Sequence, residues 1–148
     1  MSRTAVACLV VLLLVSSTPL GATPSHSPQE SDPMKIQFLE IVSSDPEATT
    51  KMLEAVHGVT FGEPIAELGN ARTADLDDGG RISVRGPLRA DEAPVVRPYL
   101  LVTDIDAAVE AAVATGGQVA IPPMEIPGQG RFAIYLLGGI DHGLWQLP

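Results

Sequence analysis

Glu40 is the residue best placed for proton chemistry. It lies in Lys35-Ile-Gln-Phe-Leu-Glu-Ile-Val42, whose β-branched and aromatic content reads as a strand. A carboxylate buried in such a strand can act as an acid or a base. Phe38 precedes it by two residues, so the two share a strand face. The histidines are scattered. His26 sits in a polar, proline-rich stretch and reads as solvated; His57, beside Gly58, favours a helix C-terminus; His142, beside Gly143, caps or lines a turn. With one cysteine, Cys8, and scattered serines, no nucleophile–base–carboxylate set emerges. Gly128-Gln-Gly130 lacks the strand–loop–helix context and the Lys-Ser/Thr of a phosphate loop.

The elements that must position Glu40 repeat themselves. Shifted by 59 positions, Gln129-Gly-Arg131-Phe-Ala133 falls on Asn70-Ala-Arg72-Thr-Ala74, and Gly138-Gly139 falls on Gly79-Gly80. The same offset sets Asp104 on Asp45, Gly117 on Gly58, and Leu100-Leu101 on Ile41-Val42. Residues 35–86 and 94–148 therefore read as two copies of one unit. In the first, the strand leads to a helix capped by Asp45 with Pro46 at its first position; Met52, Leu53 and Val56 form an apolar stripe, and Gly58 ends the helix. Strands are expected near 64–68, 71–77 and 80–86. In the second, the strand Tyr99–Thr103 precedes a helix capped by Asp104, with Ile105, Ala108, Val109, Ala112 and Val113 buried; strands near 118–123, 130–137 and 142–147 follow. Each unit is βαβββ, and a polar connector, Pro87–Ala93, joins them. Neither unit can close a core alone, so two should pack side by side in an α+β domain with a cavity between them. Arg72 and Arg131 are repeat partners, which argues for a structural role such as pairing with an acidic neighbour.

Residues 1–22 read as a secretory signal: Arg3, the apolar run Ala5–Val15, then Ser16 to Ala22. That run is too short to span a bilayer as a helix. Cleavage after Ala22 would remove Cys8 and leave no thiol; retention as an anchor is the alternative. Residues 23–33 read as a disordered tether, and 34–148 as the folded domain. All 18 acidic residues follow residue 29, and the 9 basic ones form no cluster. Nucleic acid is therefore a poor partner, and a cleaved chain has no stable membrane insertion. The expected location is periplasmic or extracellular.

Paired βαβββ units of this size resemble the vicinal oxygen chelate superfamily, which includes glyoxalase I, bleomycin-resistance proteins and extradiol dioxygenases. The resemblance rests on Phe38-Leu-Glu40-Ile41, Asp45-Pro46-Glu47, Pro127-Gly-Gln-Gly-Arg-Phe-Ala133 and Gly143-Leu-Trp-Gln146, and it spans about 35–148. It implies the paired-unit fold, frequent dimerisation and, commonly, a divalent metal held by His and Glu from four strands. Carried onto this chain, the ligand positions are Phe38, Arg97 and Gly143, with Val84 as the offset partner of Gly143. These residues cannot supply a metal's inner shell, so no metal cofactor is expected.

The cavity between the units then takes an apolar lining with a few polar handles. Phe38, Glu40, Tyr99, Met124 and Trp145 are the expected walls, although Phe38 and Trp145 also suit a plain core. Three readings of Arg97 stay open: pairing with Glu40, meeting an anionic ligand, or standing exposed beside Pro98. The resulting expectation is a small-molecule-binding protein that sequesters its ligand or acts on it through Glu40. The alternatives are a metal-dependent lyase, isomerase or dioxygenase, and a non-catalytic dimeric interaction module.

Overall fold

The computed structural model describes residues 34–148 with the exception of Asp78. The expected signal and tether lie outside the described residues. Among these, no helix is long and apolar enough to cross a membrane.

Strand β1 (Ile36–Val42) opens the first unit and runs into helix α1 (Pro46–His57). Asp45 caps that helix, its Oδ1 accepting from the Ala48 N–H at 2.9 Å, and Gly58 closes it at φ 67°. Then follow a 3-10 turn (Ala66–Leu68), β2 (Arg72–Asp75) and β3 (Arg81–Arg85). The second unit comprises β4 (Val95–Leu101), α2 (Ile105–Ala114), β5 (Gln118–Ile126), β6 (Gly130–Leu137) and β7 (Ile140–Gln146). Asp104 caps α2 through the N–H groups of Asp106 and Ala107.

All seven strands join one sheet in the order β2-β3-β1-β4-β7-β6-β5. The units meet where β1 and β4 pair antiparallel, with Phe38 opposite Tyr99 and Glu40 opposite Arg97. An offset of 59 carries one of these pairs onto the other, so the junction is pseudo-symmetric. The two helices cover one face of the sheet. Phe61, Ala74 and Val84 pack with Leu53 of α1, and Ile105, Ala133 and Leu144 pack with Ala108 and Val109 of α2. The opposite face carries Phe38, Tyr99, Ile134 and Trp145, joined by Ile121, Ile126 and Phe132.

Four expectations are corrected. The second unit's first strand is Val95–Leu101 and not Tyr99–Thr103, because its pairing with β1 carries the ladder back to Val95. Residues 64–68 form no strand; only the bridge Ile65↔Ala71 survives, because Gly69 and Asn70, both at positive φ, turn the chain after the 3-10 turn. The apolar stripe of α1 is mostly outward: Met52 and Val56 are exposed, while Thr50 and Leu53 face the sheet. Thr50 can do so because its hydroxyl is satisfied by the Pro46 carbonyl at 2.7 Å. On α2, Val113 is likewise exposed, whereas Ile105 is fully buried.

Candidate functional site

The sheet face opposite the helices holds a cleft of about 610 Å³, lined by residues of both units. Phe38, Glu40, Arg97, Tyr99, Met124 and Trp145, the six residues singled out in the sequence, all line it. Strand alternation explains the grouping: Phe38 and Glu40 on β1, and Arg97 and Tyr99 on β4, lie two apart and in register across the junction. Phe38 stacks on Trp145 with ring centroids 4.6 Å apart, and Tyr99 meets both rings edge-on. Met124 is half exposed at the rim, because β5 is the sheet's edge strand.

Glu40, 8% exposed, sits at the polar end of the cleft. Its Oε1 accepts from Arg85 Nε at 2.8 Å; its Oε2 accepts from the Tyr99 hydroxyl at 3.0 Å and from Arg97 Nη1. Each arginine is shared with a second carboxylate. Arg85 makes a two-pronged pair with Glu92, at 2.8 and 2.9 Å, and Arg97 donates Nε and Nη2 to Asp141 Oδ2 at 3.1 and 2.7 Å. The result is a ladder, Glu92–Arg85–Glu40–Arg97–Asp141, that runs from the connector across the unit junction to β7. Among the described residues, no buried side-chain nitrogen or oxygen lacks a partner. Of the three readings of Arg97, pairing with Glu40 is the one observed.

These contacts shift the titrations of Arg85, Glu92, Arg97 and Tyr99. Burial opposes charge on Arg97, yet Asp141 and Glu40 overcome it and raise its pKa; Glu92 and Glu40 do the same for Arg85. Burial, and then the Glu40 charge, push the Tyr99 phenol upward. The Arg85 pair, helped by the Leu88 N–H, holds Glu92 at about 2, against 4.5 for a free glutamate. Because its folded pKa is depressed, Glu92 contributes stability that is fully present above about pH 4.5 and lost as pH falls through about 2. Discounted for its place near the rim, that contribution is roughly 2 kcal/mol. The stability gap between wild type and Glu92→Gln should therefore shrink by roughly this amount between pH 7 and pH 2 in urea titrations; an unchanged gap would refute the pairing.

The sequence reading missed Arg85, Glu92 and Asp141. Arg85 was legible in principle, since Arg81, Ser83 and Arg85 alternate on one strand. Glu92 lies in a connector that carries no periodic signal. One position is corrected: Val84 faces α1, whereas Ser83 faces the cleft. Ser83 pairs with Glu40 in β1, as Gly143 pairs with Tyr99 in β4, so Ser83 is the counterpart of Gly143. The second unit holds one residue more between these strands, and the offset of 59 slips to 60.

The four positions to which the resemblance carries ligands are thus Phe38, Ser83, Arg97 and Gly143. An aromatic ring, a hydroxyl, a guanidinium and a glycine do not fit a divalent ion. The nearest carboxylate, Glu40, already has three donors on it. Among the described residues, no group of three or more His, Cys, Asp or Glu is arranged to hold a metal. His142 points to the helix-covered face and stacks on Tyr135 at 5.0 Å, with Tyr135 packed in the cluster beneath α2. His57 ends α1. Arg72 lies 3.9 Å from Glu63, and Arg131 pairs with Asp106 at 2.8 Å, as structural partners should.

No protein-family profile matches the chain. A 99-residue stretch is 31% identical to CFP32 of Mycobacterium tuberculosis and of Mycobacterium bovis, provisionally named a glyoxylase; it covers 64% of this chain and 37% of the relative. The chain thus matches well under half the length of these curated relatives. Among solved structures, a hypothetical protein of Bacillus halodurans, BH1468, superposes with a TM-score of 0.64 at 11% identity, covering 79% of this chain and 96% of that one. A Streptomyces coelicolor methylmalonyl-CoA epimerase variant in complex with 2-nitronate-propionyl-CoA gives 0.58 at 21% identity, covering 76% and 96%. The Mycobacterium tuberculosis methylmalonyl-CoA epimerase gives 0.60 at 16%, covering 76% and 87%. With its seven-stranded sheet, two helices and concave cleft, the chain has the glyoxalase-like α+β fold of the vicinal oxygen chelate superfamily.

Proposed function

We propose that this protein is exported under a leader spanning residues 1–22 and binds a small organic molecule in the cleft between its two units, without a bound metal. The observation that carries this reading is the cleft itself. Its volume, about 610 Å³, lies within the range of small-molecule sites, and it joins an aromatic wall to a single polar end. A cleft of this size also disfavours an interaction module whose cavity is filled by its own side chains. The metal-free part follows from the donor set, since two guanidinium groups flank the carboxylate that would otherwise recruit a cation.

A second reading, an isomerase working by proton transfer at Glu40, draws on the likeness to methylmalonyl-CoA epimerases. Against it, three of the roughly four acceptor directions of the Glu40 carboxylate are occupied, which suits an anchored group better than a base.

Two measurements test the proposal. Elemental analysis of protein purified without chelator or nickel resin should give far less than one equivalent of any transition metal; a value near one overturns the metal-free reading. A small-molecule thermal-shift screen should yield hits that also alter the emission of Trp145, the chain's single tryptophan. Hits that raise Tm without touching that emission would place binding elsewhere.

A further inference from the structure

We infer that the cleft selects a monocationic aromatic molecule, an amine on a flat apolar body, with Asp141 as its counter-ion, and that it refuses carboxylates and phosphate esters. This rests on the proposal that the cleft is a binding site, and it names the ligand chemistry.

The inference follows from the charge and valence of the ladder. It contains three carboxylates, Glu40, Glu92 and Asp141, against two guanidinium groups, Arg85 and Arg97. One negative charge is left over. Beyond the ladder, Glu67 and Glu125 also line the cleft, with Arg89 the further cation, so five acidic residues face three basic ones. An anionic ligand would need donors, and these are largely committed: Arg85 uses Nε and both Nη atoms on Glu40, Glu92 and the Gly86 carbonyl, and Arg97 uses all three nitrogens on Glu40 and Asp141. To bind a carboxylate, an arginine must release a buried partner, and that partner is left unpaired in a poorly solvated site.

A cation meets the opposite situation. The Asp141 side chain is 35% exposed at the cleft, and only its Oδ2 accepts from Arg97, so among the described residues Oδ1 has no donor. An ammonium bound there brings the ladder to three positive and three negative charges. The apolar body of the ligand then packs on the apolar wall that Ile121, Phe132 and Tyr99 supply, which favours a flat ring system. The contrast with the fold neighbour that holds a coenzyme A ester is direct, because that ligand carries several phosphate charges.

The test uses three probes of one shape on the full protein: 2-naphthylmethylammonium, 2-naphthalenemethanol and 2-naphthoate. Affinity is followed by Trp145 emission and calorimetry. The ammonium should bind about tenfold tighter than the alcohol, and naphthoate should not bind detectably. Asp141→Asn should remove most of the ammonium's advantage over the alcohol. The preference should also persist at ~0.5 M salt, where attraction to the overall charge of −9 is screened. Naphthoate binding as well as the ammonium, a preference that vanishes in salt, or an ammonium advantage indifferent to Asp141→Asn would each overturn the charge reading while leaving the cleft a binding site. Failure of all three probes to bind would instead sink the proposed function, and this inference with it.

Discussion

Glu40→Ala should lower the stability of the protein by about 3–5 kcal/mol, the range expected when one member of a buried ionic network is removed. The deletion takes an acceptor from three donors at once: Arg85 Nε, Arg97 Nη1 and the Tyr99 hydroxyl. The Arg85 and Arg97 side chains are 7% and 11% exposed, so water cannot readily replace the lost carboxylate. For a domain of this size, the matching fall in Tm is roughly 10–20 °C. Removing the charges together should behave differently. A triple variant, Glu40→Leu with Arg85→Met and Arg97→Met, leaves no buried guanidinium unpaired; of its remaining carboxylates, Asp141 is 35% exposed and Glu92 keeps the Leu88 N–H. It should be at least about 2 kcal/mol more stable than Glu40→Ala alone. Urea titrations with matched m-values would measure both. A Glu40→Ala loss under about 1 kcal/mol would mean that the ladder is solvated and contributes little.

The same ladder shows how far local sequence signals reach. Asp45-Pro46 and Asp104 announced both helices, because capping is chemistry confined to four or five residues. The β1 face was equally readable, since alternation puts Phe38 and Glu40 on one side, whereas β4 was expected only from Tyr99, and Arg97 joins that side through its pairing with Glu40. What could not be read is set by contacts distant along the chain. Glu92 belongs to a connector and is fixed only by Arg85. Asp141 becomes Arg97's partner because β7 lies parallel beside β4, a neighbour relation that no local pattern encodes. The outward turn of Met52 and Val56 has a similar cause: the contacts of α1 with β3 and the Phe61 cluster decided its rotation, and Glu54 is drawn toward the Phe61 N–H at 3.0 Å. The one-residue slip between units moved the counterpart of Gly143 from Val84 to Ser83, so a constant offset was right for the first strands and wrong for the last.

Gly143 leads to the second large effect. A Cβ built there would lie 2.4 Å from Tyr99 Cδ1, 2.5 Å from its Cγ and 2.7 Å from the Pro98 carbonyl oxygen. The tyrosine ring therefore fills the space that a side chain at this strand position would use, and it is held there by Glu40 and by edge contacts with Phe38 and Trp145. The glycine at 143 and the tyrosine at 99 are one structural choice, not two. Gly143→Ala should cost about 3 kcal/mol, at the upper end for overpacking, because one clashing atom is backbone and the other two belong to a buried, hydrogen-bonded ring. Gly143→His, which would introduce a metal-binding side chain, should be worse still and should not gain zinc affinity. In a Tyr99→Ala background the penalty of Gly143→Ala should fall by at least about 1 kcal/mol, since the ring clash is gone and only the Pro98 carbonyl remains. A double-mutant cycle measures this directly. If the two substitutions prove additive, the ring does not occupy the position, and the account of why this strand position is a glycine loses its structural basis.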